Sequence, residues 1–403
     1  MTIARMRIIR LALLLLALPA AAQQPLQPLL DAVPAGGTLR LAAGRYAGPA
    51  VIDRPMSVEG GGKAVIDAGG RGTVLTLRAS GATLRGLLLM NSGTTHDGID
   101  AGLQIEGDDN RVEENTIDDA LFGIHVRQGN RNRIVGNRVR GKDLPLGLRG
   151  DGLRLWNSRH NRVEDNRFER VRDLTLANSP DNRVAGNRLD DARYGMHIVF
   201  SPRTRVDGNR IAGTGTGIVV MYSEGVVVRG NSIAHALDGG GAGIAFKDSG
   251  EGLVENNDIL HCATGLQANT PLNAERVLTI RGNRLAHNIV GISFYGEKGG
   301  HRIVGNRFEN NLTQVTTSAA GVGSANVWEG NAWSDYEGFD RDGDGVGDTP
   351  HELNAYADRI WMELPKAKFF ANSPLFELLD FLERLAPFSA PSPILRDPAP
   401  RVR

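Results

Sequence analysis

Three histidines occupy one repeated position of the sequence, four residues after an asparagine, in the segments NSIAH, NDILH and NRLAH. They are His235, His261 and His287. If consecutive repeats stack as turns, these side chains lie above one another at the roughly 4.8 Å spacing of neighbouring strands. Imidazole nitrogens bind copper and zinc, the latter at about 2.0 Å. The column is therefore a candidate copper site, with Cys262 beside its middle member. The alternative is a polar column at a turn without metal, because Asp, Gly, Arg and Asn occupy this position in other repeats.

A second pair of copper candidates is His197 of YGMHI and Met221 of VVMYS. They lie on adjacent predicted turns, and copper(I) prefers soft ligands such as methionine sulfur together with imidazole. His125 of FGIHV has the same position as His197 but stands three turns earlier. At strand spacing the two histidines are about 14 Å apart, so one ion cannot bridge them.

A run of acidic residues near the C-terminus has the alternating spacing of a calcium loop: Asp340, Asp342, Asp344 and Asp348. Gly345 stands at the sixth position of the loop count, but the twelfth position is His351 and not the bidentate glutamate of an EF-hand. The run predicts either a partial, weak calcium loop or a tight Asp-Gly turn without metal.

The elements that position these residues follow from an internal repeat. Ten asparagines each precede a residue and then an apolar side chain: Asn115, Asn137, Asn166, Asn187, Asn209, Asn231, Asn257, Asn283, Asn306 and Asn331. Their spacing is about 22 residues, with insertions in some repeats, and a fixed period of this size is typical of solenoids. Short runs with period two, separated by Gly, Asn and Asp, predict short strands joined by tight turns.

A unit of this size cannot bury its apolar residues alone, so the units must coil on one another. The predicted fold is all-β: a single-stranded, right-handed parallel β-helix with rungs of about 22 residues and a C-terminal tail that is helical and then extended. Val184, Leu189, Met196 and Ile198 should point inward. The recurring asparagines should form a ladder at one corner, as amides do in other stacked sheets.

The N-terminus has the pattern of an export signal. Three arginines precede the apolar run Leu11 to Leu18 and then small residues, which predicts a signal peptide over residues 1–22 and a mature chain in the periplasm. A single cysteine excludes an intramolecular disulfide. Lys plus Arg and Asp plus Glu are 46 each, so no net charge attracts nucleic acid or anionic lipid, and neither is expected as a partner.

The pattern divides the mature chain into three parts. Residues 23–331 are predicted to form the β-helix with an N-terminal cap, 332–358 an Asp/Gly-rich loop segment, and 359–403 a C-terminal helix and a Pro-rich tail. Ser373 and Pro374 are typical of a helix start. The apolar residues that follow are candidates for docking to a partner, with a lid over the last rung as the alternative for the helix: Leu375, Phe376, Leu378, Leu379, Leu382 and Phe388. The Pro-rich end, APFSAPSPILRDPAP, is interpreted as an extended strap that engages a partner.

Several segments together resemble one family, NosD, the periplasmic maturation factor of nitrous oxide reductase. They include RGDGLRLWNS, YGMHIVFS, VVMYSEG and AGIAFKDS, and above all GNAWSDYEGFDRDGDGVGDTP followed by ANSPLFELLDFLERLAPFS. The resemblance implies a non-enzymatic outer partner of an ABC transporter, with its permease and ATPase pair. It also implies a membrane-attached copper chaperone and nitrous oxide reductase as partners, and transiently bound copper in assembly of the copper-sulfide centre. Family members tend to carry Met and Tyr after the histidine of YGMHI, whereas this chain has Ile198, Val199 and Phe200.

The competing interpretation is a polysaccharide-binding or polysaccharide-modifying β-helix. Asp97, Asp100, Asp151 and Arg154 supply groups of the kind that a lyase or epimerase needs. Aromatic residues make up 5% of the chain, too few for an evident sugar-stacking stripe. The sequence shows no outward column that combines carboxylate, Arg and aromatic groups on neighbouring turns, so an enzyme is not predicted.

Overall fold

The computed structural model describes residues 23–269, 276–296, 299–317, 322–354, 373–374, 378, 382 and 393–402. The predicted signal peptide lies outside the described residues. Almost all described strands belong to one continuous sheet in which each strand pairs in parallel with strands of the turns before and after it. The chain is a parallel β-helix of about 13 turns, which confirms the predicted fold class.

Each turn contributes strands to three faces. Face A contains Thr38–Arg40, Arg111–Glu113, Arg133–Val135, Arg162–Glu164, Arg183–Ala185, Arg205–Asp207, Val227–Arg229, Leu253–Glu255, Thr279–Arg281, Arg302–Val304 and Val327–Glu329. Face B contains Gln24–Pro25, Gly44–Ala47, Thr116–Ala120, Arg138–Gly141, Arg167–Glu169, Ser232–Ala234, Asp258–Leu260, Arg284–Ala286, Arg307–Glu309 and Ala332–Trp333.

Face C contains Ala50–Ile52, Leu75–Leu77, Ala101–Ile105, Phe122–Arg127, Leu153–Trp156, Asp173–Ala177, Ala242–Lys247, Thr264–Asn269, Val290–Tyr295 and Thr313–Thr317. Four longer strands bend across two faces: Ser57–Asp67 and Thr83–Met90 across A and B, Arg188–Val199 and Arg210–Met221 across B and C. A short α-helix covers Gln27–Asp31 and a 3-10 helix Leu146–Leu148.

Every second residue of a strand points to the inside of the coil, and these apolar side chains form the core. Val184, Leu189, Met196 and Ile198 are each fully buried, as the period-two pattern predicts. Parallel neighbours in register repeat this arrangement from turn to turn, because a one-residue slip would expose the whole apolar set.

The asparagine ladder stands at the corner between faces A and B. The backbone N–H of Asn187 donates to Oδ1 of Asn209 at 2.9 Å, and its side-chain amide donates to the same oxygen at 3.0 Å. The residue before each asparagine has a left-handed backbone, for example Gly186 with φ 65°. Glycine adopts this conformation without a steric penalty, which explains the recurring Gly-Asn pair. Buried polar groups at this corner have no partners in the strand ladders, and the asparagine side chains provide the hydrogen bonds that they need.

A serine ladder, which the sequence analysis did not anticipate, follows face C. The backbone N–H of Ser179 donates to Oγ of Ser201 at 2.9 Å, and that of Ser201 to Oγ of Ser223 at 2.8 Å. The serines come from the segments ANS, VFS and MYS. Two corners are thus bonded by side chains that repeat with the turns.

Both ends of the coil are covered by its own chain. At the N-terminal end, Leu30 of the short helix and Leu26 just before it are buried in the core. At the other end, Pro393–Asp397 pairs antiparallel with His351–Asn354, and Leu395 is fully buried. Residues 393–397 of the Pro-rich strap thus cover the last turn, and engagement of a partner by the strap stays a prediction.

Candidate functional site

The histidine column lies where face B ends. His235, His261 and His287 each have a left-handed backbone, with φ of 60°, 52° and 56°, and each side chain is exposed. The rings of His235 and His261 stack with centroids 5.4 Å apart and planes 5° from parallel. His261 and His287 also stack at 5.4 Å, at 16°. The expected stacking on three consecutive turns is observed.

The stacked geometry limits how the column can hold a metal. The lone pair of a ring nitrogen lies in the ring plane, so nearly parallel rings direct their lone pairs side by side and not toward one point. An ion shared at about 2.0 Å from two nitrogens requires the rings to turn out of the stack. Because the side chains are exposed, the protein around them does not prevent that rotation. Metal binding by the column stays a prediction.

The Cys262 side chain points into the core, whereas that of His261 points outward. The side chain of Cys262 is 1% exposed, and its sulfur lies 3.3 Å from the carbonyl oxygen of Leu260. Burial raises the pKa of the Cys262 thiol to about 11. A buried thiol that stays protonated is a core residue and not a soft ligand for an ion on the outer surface.

His197 and Met221 lie on the outer side of face C on adjacent strands. His197 is the register partner of Val219, and Met221 is the partner of Val199, so the two candidates are diagonal neighbours. Nε2 of His197 is buried and has no hydrogen-bond partner among the described residues. Burial lowers the pKa of His197, opposed by Asp173 and reinforced by Arg193. The surroundings that disfavour a proton on this ring also disfavour a copper cation there, so copper binding by this pair stays a prediction without added support.

An ionic cluster that the sequence analysis did not assemble surrounds His197. It combines Asp151, Arg154, Arg172, Asp173 and Arg193 from three successive turns. Arg172 donates to Asp151 at 2.8 Å, and Nε of Arg193 donates to Asp173 at 3.1 Å. In the part of the chain that the structure describes, Oδ2 of Asp151 and Nε of Arg154 are buried without hydrogen-bond partners.

Aromatic rings complete this part of face C. The Arg193 guanidinium lies 4.4 Å from the centroid of the Tyr194 ring, and Tyr194 contacts His197 edge-on at 5.4 Å. Burial raises the pKa of Asp151 and lowers that of His125 to about 4. Carboxylate, guanidinium and aromatic groups therefore do meet on neighbouring turns, contrary to the expectation. The sequence pattern that could have predicted this cluster is the recurrence of Arg and Asp in RGDGL, RVRDL and DDARY.

The acidic loop brings three of its four predicted residues together. Carboxylate oxygens of Asp340, Asp342 and Asp344 lie within 4.8 Å of one another. Asp340 accepts the backbone N–H of Gly345 at 2.9 Å, and this bond is the largest of the contributions that lower the Asp340 pKa.

The other two positions of the loop count lie apart from this cluster. Asp348 accepts the N–H of Arg341 at 2.8 Å. His351 stacks on Trp333 with centroids 4.7 Å apart. Calcium binding by the remaining three carboxylates stays a prediction.

The predicted docking residues are only partly described. Leu378 and Leu382 occupy helical positions, and 52% and 44% of their surfaces are exposed. Leu375, Phe376, Leu379 and Phe388 lie outside the described residues. In the part of the chain that the structure describes, no helix is long and apolar enough to span a membrane.

The fold and its amide ladders define a class, the parallel β-helix proteins. Among solved structures, the A-module of mannuronan C-5 epimerase AlgE6 from Azotobacter vinelandii is similar, with a TM-score of 0.59 and 15% identity over 74% of this chain and 91% of that one. An N-terminal fragment of bacteriophage Phi29 gene product 12 has a TM-score of 0.51 at 11% identity, over 72% of this chain and 67% of that one. At these identities the likeness shows the fold alone.

The chain belongs to the NosD family. The family model described as periplasmic copper-binding protein (NosD) matches residues 136–338. A protein named probable ABC transporter binding protein NosD, from Pseudomonas aeruginosa, is 32% identical over 98% of this chain and 94% of its own length. A protein of the same name from Stutzerimonas stutzeri is 29% identical over 90% of this chain and 86% of its own length. The resemblance and the periplasmic location inferred from the sequence are confirmed.

Proposed function

We propose that this chain is the periplasmic partner of an ABC transporter, with its permease and ATPase pair, and that it relays copper during assembly of the copper-sulfide centre of nitrous oxide reductase. It receives the ion from a membrane-attached chaperone and performs no catalytic step. The names of its relatives support transporter binding, and the description of its family supports copper binding. The observation that carries the copper part is the stack of His235, His261 and His287.

The column suits a transferred ion better than a resident one. Copper is the cargo here, and each exposed ring can offer a nitrogen to it. Parallel rings do not chelate an ion unless they turn, so an ion held by one nitrogen is weakly bound and can pass to a partner. Three equivalent rings at strand spacing provide successive positions for the same ion along the outside of the coil.

The test is an anaerobic copper(I) titration of the mature chain, Gln23 to Arg403, against a competing chelator. We compare the unaltered protein with a triple variant in which His235, His261 and His287 are replaced by Ala. The control is His160→Ala, since His160 is exposed and has the same left-handed backbone, with φ 58°. We expect the triple variant alone to lose bound copper. Equal stoichiometry in all three proteins would remove the column from the proposal.

A test of docking through the tail must leave the C-terminal end of the coil intact. Removing everything after Asn372 would also delete Pro393–Asp397, which covers the last turn. The double variant Leu378→Glu, Leu382→Glu changes two exposed apolar side chains only. We expect it to lose co-purification with the transporter. Its control is Leu237→Glu, Leu312→Glu, at leucines 59% and 57% exposed on the coil. Retained co-purification of the tail variant would contradict docking by these leucines.

A further inference from the structure

Two columns of arginines run along the coil beside the asparagine corner. The column on face A contains Arg111, Arg133, Arg162, Arg183 and Arg205 on five consecutive turns. The column on face B contains Arg138, Arg167, Arg188 and Arg210. Register partners are neighbours on parallel strands, so each column carries one guanidinium per turn, about 4.8 Å from the next.

Within the described part of the chain, most of these guanidinium groups have no ion-pair partner. Eight of the nine side chains are exposed and Arg167 is half-buried. Among the described residues, ion pairs of these nine arginines form at Arg167, Arg183 and Arg188 alone. Within the described residues, the other six make neither an ion pair nor a side-chain hydrogen bond: Arg111, Arg133, Arg138, Arg162, Arg205 and Arg210. Like charges at strand spacing repel one another, and an anionic ligand would relieve this repulsion.

The carboxylates on the same strands leave the other six arginines unpaired, because most of these carboxylates already pair with a different arginine. Their pairs are Asp118 with Arg140, Glu164 and Asp207 with Arg183, Glu169 with Arg167, and Asp190 with Arg188. The chain has a net charge of zero. At physiological ionic strength, salt screens the interaction between exposed charges that lie more than about 8 Å apart. The local row of arginines therefore decides what binds to these faces, and the overall balance of charge does not.

We infer that the arginine columns bind an acidic polysaccharide, lying extended along the coil with one uronate sugar per turn. The guanidinium fork matches a carboxylate with two parallel hydrogen bonds. One sugar residue of an extended uronate chain is about as long as the interval between turns. Successive carboxylates point to different sides of such a chain, so those that face one column recur at every second or third turn and stay in register with its arginines. An acidic peptide strand places same-side residues roughly 6.6 Å apart, and double-stranded DNA carries a charge about every 1.7 Å, so neither repeats with the columns.

The test is calorimetric titration of the full mature chain with polygalacturonate oligomers of increasing length, at low and physiological salt. We expect affinity to rise with length and level off at about five sugars, one for each turn of the face A column, and to fall with salt. The variant Arg133→Glu, Arg162→Glu removes two attractions and adds two repulsions, so binding should weaken at least about tenfold.

The control carries the same change of net charge elsewhere. Arg71→Glu, Arg302→Glu alters two exposed arginines outside the consecutive run, and the register neighbours of Arg302 are the uncharged Thr279 and Val327. We expect its binding to match that of the unaltered chain. Equal loss in both variants would overturn the proposal.

Three other results would also overturn it: equal binding of neutral dextran, no dependence on oligomer length, or tighter binding of single-stranded DNA at equal charge. Each leaves the copper proposal untouched, because the histidine column lies on later turns of the coil than the arginines.

Discussion

Asp397 occupies the place that the next asparagine of the ladder would take after Asn331. Its Oδ2 accepts the backbone N–H of Asn331 at 3.0 Å and the side-chain amide at 2.9 Å, the same two bonds that each ladder asparagine makes to the next. The same oxygen accepts Nε1 of Trp333 at 3.1 Å. The coil thus ends on a side chain from 66 residues further along the chain, which closes the ladder and covers its last polar groups.

Replacing Asp397 by Ala should destabilise the C-terminal end of the coil. The change leaves the two Asn331 donors and the Trp333 indole N–H buried without an acceptor, at roughly 1–3 kcal/mol for each unsatisfied group. Urea unfolding followed by tryptophan fluorescence measures the loss. The variant Asp397→Asn keeps one acceptor, but its amide would face the N–H of Gly330, so an intermediate loss is expected. Equal stability of all three proteins would contradict the capping role.

The variant Asn187→Ala tests the ladder in the middle of the coil. Asn187 is 1% exposed, accepts the N–H of Asn166 at 2.9 Å and donates to the carbonyl of Val163 at 2.9 Å. Losing these bonds should cost roughly 1–3 kcal/mol per orphaned buried group. The control is Arg188→Ala at the adjacent exposed position, with an effect of at most about 1 kcal/mol. Similar urea midpoints for the two variants would argue against a stabilising ladder.

The pH dependence of stability should reflect His125. Burial holds its folded pKa at about 4, below the usual value of 6.5. The unfolded chain therefore binds more protons between these values, and stability present above pH 6.5 is lost as the pH falls toward 4. The shift corresponds to roughly 3 kcal/mol at most. Thermal melts between pH 7.5 and 4.5 should show a shallower loss for His125→Gln than for the unaltered chain. His160→Gln serves as the exposed control, and identical slopes in all three proteins would refute the assignment.

Calcium should bind the acidic loop weakly, with a dissociation constant on the order of 10⁻⁴ to 10⁻³ M. Asp342→Asn should abolish the calcium-induced rise in melting temperature, because Asp342 belongs to the three clustered carboxylates. Asp348→Asn should retain most of it, since Asp348 lies outside that cluster. A melting temperature that calcium leaves unchanged in the unaltered chain would establish the metal-free Asp-Gly turn.

The sequence by itself determined the coil, the asparagine corner, the buried side chains such as Leu189 and the stacked histidines. In a solenoid each turn contacts only its neighbours, so a repeat read along the chain fixes the register, and the register fixes what stacks.

Only the tertiary structure decided the features that do not repeat. It turned Cys262 inward while His261 points outward, and it joined Asp151, Arg172 and Arg193 across three turns. It also brought Asp397 back to Asn331. His261 and Cys262 follow the strand Asp258–Leu260, where the alternation of a strand no longer determines which side a residue faces. The return of a distant segment such as Asp397 has no period that a linear pattern can show.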